Sequence, residues 1–302
     1  MRFSGSTVIV TGGASGIGAE AVRLFAGEGA VVYSADIDDA GAEAVAKGCD
    51  GEVRVMRCDV TKPGDLELLM NRAKEETGGI DTLVNNAGAG GARASIAEIG
   101  ADEWDATMNL LLRSVALGIR YAVPWMKERA SARTGGASIV NISSVAAVGP
   151  GYAPTAYSVA KAGVLHLTKC AAADLAQYGI RVNAVQPGFI NTNIFTASLG
   201  IAGEMQRIAN QAIAQKSAHA QPVARGGQPR DIAEAVAFLA SEAAGFVTGT
   251  SLLVDGGLTI GPRHSWDPEE PGLFDALDQM AAAPAGRGGG DSVGGAARGP
   301  SA

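Results

Sequence analysis

The chain has 302 residues, is 47% hydrophobic and carries a formal net charge of −7. That supplies a substantial core, yet no apolar run reaches the length of a membrane span, which argues against an integral membrane protein. Acids and bases are mixed along the chain with no basic stripe, so no nucleic acid partner is expected.

Cys49, Cys58 and Cys170 are odd in number and lack CxxC spacing, the pattern of free thiols in a reducing compartment. His166, His219 and His264 stand far apart, so no metal site is expected. The opening "MRFSGSTVIVTGG" lacks the charged, apolar and cleavable parts of an export signal, and a cytoplasmic protein is expected.

"STVIVTG" (6–12) is a short β-branched run suited to a strand buried on both faces. Residues 16–30 follow, with Ile17, Ala21, Leu24 and Phe25 at helical spacing and Gly29 as a stop. "AVVYSADI" (30–37) reads as a second strand. The alternation continues with a helix at 39–47, a strand at 51–60, a helix at 63–77 and a strand at 80–88. A long helix is predicted over 102–127, then a strand at 136–144, a helix at 155–178 and a strand at 180–188. A helix at 229–240 leads to a last strand at 250–257. Such repetition predicts an α/β fold, a doubly wound parallel sheet with helices on both faces, as one domain over 1–260.

Two segments depart from the rhythm. Residues 189–228, with a helix-like piece at 203–216, follow the strand that ends at Pro187–Gly188. Ligands of open α/β sheets bind beyond the carboxyl ends of strands, so a substrate lid is expected there. Residues 261–302 form a C-terminal extension. In it "PEEPGLFDALDQM" (268–280) predicts a short helix with Leu273, Leu277 and Met280 on one side. The Ala/Gly-rich stretch 281–302 is expected to be disordered.

"TGGASGIG" (11–18) lies between a predicted strand and a predicted helix, with Gly12, Gly16 and Gly18 in GxxxGxG spacing. Glycines permit a tight turn and close approach of the backbone to a pyrophosphate, and the helix start offers N–H groups to it. Gly12, Ser15, Gly16, Ile17 and Gly18 are therefore the expected phosphate cradle, against the bland reading of a turn without a ligand. Asp36 ends the second strand, 18 residues after Gly18, where an acid accepts hydrogen bonds from both ribose hydroxyls of adenosine. It would repel a 2′-phosphate. Ile37 follows it, and the loop holds only Gly13, Ala14 and Ser15, so no cation is expected nearby and NAD is favoured over NADP.

In "TAYSVAK" (155–161), Tyr157 and Lys161 are four apart and share a helix face. Alone, such a pair is an ordinary helix turn. In this order, however, "TGGASGIG", "NNAG" (85–88), "YSVAK" (157–161) and "PG" (187–188) resemble the short-chain dehydrogenase/reductase family over residues 5–257. The resemblance implies a single-domain Rossmann fold with a seven-stranded parallel sheet, assembled as a homotetramer or a dimer.

The resemblance also implies roles. Tyr157 and Lys161 match the family's YxxxK pair. Ser144, 13 residues before the tyrosine, matches its serine, in preference to Ser143. Asn109, in the long helix, completes a tetrad. Asp59 and Val60 match the pair beside adenine, and Asn86, Ala87 and Gly88 line the cofactor and steady the central sheet. Pro187, Gly188, Ile190 and Thr192 match positions at the nicotinamide. The stretch "RASARTGG" (129–136) departs from the pattern as a small insertion.

Oxidation of a secondary alcohol needs a base for the hydroxyl proton as hydride leaves for the nicotinamide. Free tyrosine, with a pKa near 10, is too weak an acid, so Lys161 one turn away and the positive NAD⁺ ring are expected to lower it. Ser144 would hold the substrate oxygen, and Asn109 a water that links Lys161 to solvent. Pocket positions are expected at 89–95, 145–154 and in the lid, including Tyr152, Phe189, Ile194, Phe195, Leu199 and Met205. They suit an apolar, steroid- or terpenoid-like secondary alcohol or ketone, although the same side chains could simply pack a lid on its core. Alternatives are a 3-oxoacyl-thioester (acyl carrier protein) reductase, which would want NADPH and a basic surface, and a non-catalytic NAD-binding protein.

Overall fold

The computed structural model describes residues 1–131, 136–196 and 203–282. They form β1 (Thr7–Thr11), α1 (Gly16–Gly27), β2 (Val31–Asp36), α2 (Asp39–Lys47), β3 (Glu52–Arg57), α3 (Pro63–Thr77) and β4 (Thr82–Asn85). After α4 (Ala101–Met108), a π-helical turn (Asn109–Arg113) leads into α5 (Ser114–Ala130), β5 (Ala137–Ile142) and α6 (Thr155–Leu175). The second half closes with β6 (Ile180–Pro187), α7 (Gly203–Ala220), α8 (Pro229–Ala240) and β7 (Ser251–Val254). A further helix, α9, spans Leu273–Ala282.

The strands make one seven-stranded sheet in the order β3-β2-β1-β4-β5-β6-β7, and every pairing is parallel. This is the doubly wound Rossmann architecture. Strand order reverses between β1 and β4, where ligand crevices form at the carboxyl ends. Alternate residues of each strand supply opposite faces. Ile9 enters a core with Leu66 and Leu69 of α3, Ile119 and Met126 of α5, and Val164 of α6. Its neighbours Val8 and Val10 enter the other core, with Leu24 and Phe25 of α1 and Ile232, Val236 and Leu239 of α8. Both faces are covered, which is why the strands read as continuous apolar runs.

Local chemistry explains several boundaries. Asp38 caps α2 by accepting from the Gly41 N–H at 3.0 Å. Pro63 and Pro229 open α3 and α8, where a missing N–H is harmless. The predicted long helix is not continuous. Its wide turn lets the Ser114 N–H reach the Asn109 carbonyl, five residues back. The extra residue rephases the helix, so that successive leucines face different elements: Leu111 lies against Gly88 and Leu112 against Gly163 of α6. An apolar periodicity of three to four cannot reveal such a turn.

Met1–Ile260 forms one compact unit, and a second begins at Gly261. In the second, Arg263 pairs with Asp267 at 2.7 Å, and α9 exposes Leu273, Phe274, Leu277 and Met280. This helix starts and ends later than the expected 268–280, so residues 281 and 282 are helical where disorder is expected. Residues 132–135 of the expected insertion, 197–202 of the lid and 283–302 of the tail lie outside the described residues. Among the described residues, no helix is long and apolar enough to cross a membrane, and no cluster of ligating side chains could hold a metal ion.

Candidate active site

The chain leaves β1 through Gly12, whose φ of +71° favours glycine, and the Gly12 N–H donates to Ala35 of β2 at 2.7 Å. A Cβ on Gly12 would lie 2.8 Å from Ala87 Cα, and one on Gly18 would lie 1.9 Å from the Gly12 oxygen. The loop, α1 and the end of β4 thus approach to a distance that only glycine allows. Ser15 is the N-cap of α1, but its side chain makes no capping bond and does not take the N–H groups at this helix start. Gly16 stands beside it, and Ile17 packs half-buried against the core of that face. The arrangement fits a pyrophosphate, whose charge favours a helix N-terminus.

Asn86 ties this loop to β4. Its Nδ2 donates to the carbonyls of Thr11 (2.9 Å) and Gly12 (3.1 Å). The backbone N–H groups of Asn86 and Ala87 both donate to Thr11 Oγ1. The central sheet itself is bridged by the preceding asparagine. Asn85 Nδ2 donates to Asn141 Oδ1 on β5 at 2.9 Å, and Asn141 Nδ2 donates to Thr168 Oγ1 on α6 at 3.0 Å.

Asp36 Oδ2 accepts from the Ala14 N–H at 2.9 Å, and its Oδ1 accepts from the Asp38 N–H at 3.0 Å. Each oxygen keeps a second lone pair, so the acid can still receive two hydroxyls. Ile37 is exposed beside it. At the two positions expected beside adenine, Asp59 accepts from Thr61, which holds its carboxyl below the usual range, and Val60 is buried. The expectation that no cation stands near Asp36 is not met. The parallel register pairs Asp36 with Arg57 of β3, and the Arg57 guanidinium donates to the Ile37 carbonyl. The two are 21 positions apart in the chain, and only strand pairing brings them together.

The second group of residues gathers where β5 meets α6. The two serines are distinguished by their partners. Ser143 is buried and donates to the Lys161 carbonyl at 2.8 Å, whereas Ser144 Oγ accepts from the Ala146 N–H at 3.1 Å and stands close enough to the Tyr157 phenol to pull it down. Lys161 is buried, and its Nζ donates to the Ile142 carbonyl at 2.8 Å, leaving two further N–H donors. Ser143–Lys161, Lys161–Ile142 and Asn141–Thr168 therefore staple α6 to β5 at three points. Asn109, in the wide turn, presents Oδ1 to Arg113 at 2.8 Å, and the Arg113 guanidinium also reaches the Thr61 carbonyl at 3.4 Å.

The electrostatics differ from the expectation that Lys161 lowers the tyrosine. Burial pushes the Tyr157 phenol up and outweighs the nearby Ser144 hydroxyl, which pulls it down. The same burial lowers Lys161 to about 8. Its Nζ stands 5.7 Å from the centre of the tyrosine ring and is directed to a backbone carbonyl.

Pro187 ends β6, and the Gly188 N–H donates to Val254 of β7 at 3.0 Å. Ile190 is buried and bridges to Gly227, while Thr192 lies against Gly16, joining this segment to the glycine loop. Tyr152 and Phe189, both half-buried, meet edge to face with centroids 6.4 Å apart. Ile194 is half-buried and Met205 exposed. The side chain of Phe195 and all of Leu199 lie outside the described residues.

A family model described as Enoyl-(Acyl carrier protein) reductase matches residues 12–259. The chain is 40% identical over 261 residues to the cis-4-hydroxycyclohexanecarboxylate dehydrogenase of Sinomonas cyclohexanicum, covering 85% of this chain and 98% of that one. It is 35% identical over 258 residues to the 3beta-hydroxysteroid dehydrogenase 2 of Eggerthella lenta, with 84% and 95% covered. Among solved structures it is similar to levodione reductase, with a TM-score of 0.76 and 32% identity over 86% of this chain and 100% of that one.

Proposed function

The chain belongs to the short-chain dehydrogenase/reductase family, and we propose that it interconverts an apolar cyclic secondary alcohol and its ketone with NAD. The observation that carries this reading is that Tyr157, whose phenol the nearby Ser144 hydroxyl pulls down, shares a helix turn with the buried Lys161, at the sheet end that also holds the glycine loop. A bound nicotinamide dinucleotide would supply the hydride acceptor for oxidation and the hydride donor for reduction. The chain's own groups handle the proton and the oxygen. Ser144 Oγ holds the substrate oxygen beside Tyr157, whose phenolic oxygen takes the hydroxyl proton in oxidation and gives one in reduction. Asn109 acts with Lys161 on the proton's route to solvent.

Because burial holds the phenol up, the chain alone favours the protonated acid that reduction needs. Oxidation should therefore speed up as pH rises, and reduction should not. Asp36 supports NAD, since its charge opposes a 2′-phosphate. Residues 189–228, with α7, act as the lid. The edge-to-face pair Tyr152–Phe189 lends an apolar wall to the substrate side. Two relatives are named for a cyclic alcohol and a hydroxysteroid, which agrees with a ring-shaped substrate.

The description of the matching family model favours a second reading, reduction of an acyl-carrier substrate. That activity would want NADPH and a basic docking face, and Asp36 with a net charge of −7 opposes both. The test is a panel of cyclic, steroid and terpenoid alcohols with NAD⁺ or NADP⁺, alongside 3-oxoacyl thioesters with NADH or NADPH, read by absorbance of the reduced cofactor. Turnover of ring alcohols with NAD⁺ is expected. Turnover confined to thioesters with NADPH would establish the second reading, and none with any substrate would point to a non-catalytic binder.

A further inference from the structure

Selectivity at the ribose end is usually argued from one charge, and here that charge is Asp36. The structure places more charges there. Asp36 ends β2, Asp38 and Asp39 follow at the start of α2, and Arg57 stands at the paired position of β3. The Cys58 N–H continues the pairing by donating to the Asp36 carbonyl at 2.8 Å, so the base of the arginine is held against the acid's strand. The guanidinium folds back over the end of β2. Its Nη1 donates to the Ile37 carbonyl and stands 3.3 Å from Asp39 Oδ2.

Two features decide what this arginine can do. It is 65% exposed, and an exposed ion pair of this kind holds only weakly, so the side chain is free to exchange partners. A guanidinium also offers five N–H donors in a planar fork that matches a phosphate bidentately, and one nitrogen accounts for both contacts seen. Asp39 lies in the first turn of its helix, where a negative charge is favoured, so this carboxylate has its own reason to stay in place.

We propose that Arg57 is a specificity-determining residue, a receptor for a ribose 2′-phosphate that Asp39 holds off. Cofactor choice is then set by Asp36 and Asp39 acting against Arg57. Asp36 repels the phosphate, and Asp39 occupies the cation that would attract it. This rests on the reading of Asp36 as the ribose acid.

The test is binding by calorimetry of NAD⁺, NADP⁺ and adenosine 2′,5′-bisphosphate to the full chain, which needs no turnover. Asp36→Ala should move the NADP⁺ to NAD⁺ affinity ratio toward NADP⁺ by about tenfold, as expected when a charge that repels a phosphate is removed. In that background Asp39→Asn should tighten the bisphosphate a further three- to tenfold, roughly the effect of freeing one charged partner. Arg57→Met should reverse the gain, Arg57→Lys should keep part of it, and added salt should weaken it. If Asp36→Ala shifts the ratio but Arg57→Met leaves NADP⁺ and bisphosphate affinity within about twofold, the role of Arg57 is overturned while the ribose reading stands. If Asp36→Ala does not move the ratio, both fall.

Discussion

At the glycine-loop end the candidate site is built from backbone. Gly12 and Gly18 let three chain segments close up, and Asp36 and Asn86 are each held by main-chain partners at the end of the neighbouring strand β1. At the β5–α6 end it is built from buried side chains. Ser143, Lys161, Asn141 and Thr168 span strand and helix, and each would be costly to bury without its partner. The difference teaches where each end is fragile. The first tolerates no added atom, and the second tolerates no lost hydrogen bond.

The largest effect should come from the side-chain end. Tyr157→Phe removes the proton-carrying oxygen and should lower kcat by about 10³-fold or more, with NAD⁺ affinity within about threefold. A phenylalanine variant that keeps a tenth of the activity would sink the assigned role.

At the backbone end, Gly18→Ala sets a methyl 1.9 Å from the Gly12 oxygen, and the loop must open. NAD⁺ binding should weaken by about 100-fold in a fluorescence titration, as expected when a cradle loses its close approach. Retained affinity would show that the loop yields without cost, and the contrast between the two ends would lose its basis.

Asn141→Leu sharpens the comparison from the other side, because it leaves the buried Asn85 Nδ2 without its acceptor. Urea unfolding should show a loss of about 2 kcal/mol, the usual cost of an orphaned buried donor. An unchanged midpoint would mean that a water or a rotated side chain satisfies Asn85.

An effect of about the same size, read through pH, concerns Lys161. Its ordinary value of 10.5 falls to about 8 in the fold. Between those values the unfolded chain holds the extra proton, so stability rises with pH and the cost of burying the ammonium fades. Relative to Lys161→Met, the parent chain should gain about 2 kcal/mol between pH 7.5 and pH 9.5. A pH-independent difference would mean that the ammonium is solvated after all.

Much of the site's inventory was legible because the chemistry is local. A glycine turn before a helix, an acid at a strand end and a Tyr/Lys pair one helical turn apart each occupy a few consecutive positions. Helices 39–47, 63–77 and 229–240 match their predicted bounds for the same reason, since caps and prolines mark them. What stayed hidden was non-local. Arg57 meets Asp36 through strand register, and Arg113 reaches the Thr61 carbonyl across the fold, 52 positions away in the chain. Burial, which sequence does not measure, pushes the Tyr157 phenol up in the chain alone. Asn141 left one trace, a polar residue inside an otherwise apolar strand.

By itself, the sequence determined the alternation of strands and helices, the positions that must be glycine and the residue types available for proton and phosphate chemistry. These follow from backbone sterics and side-chain chemistry within a few residues. Only the tertiary structure decided where the lysine's ammonium is spent and which cation stands beside Asp36. Those outcomes depend on how parallel strands fall into register and how deeply the helices bury their polar groups, and both are properties of the assembled sheet.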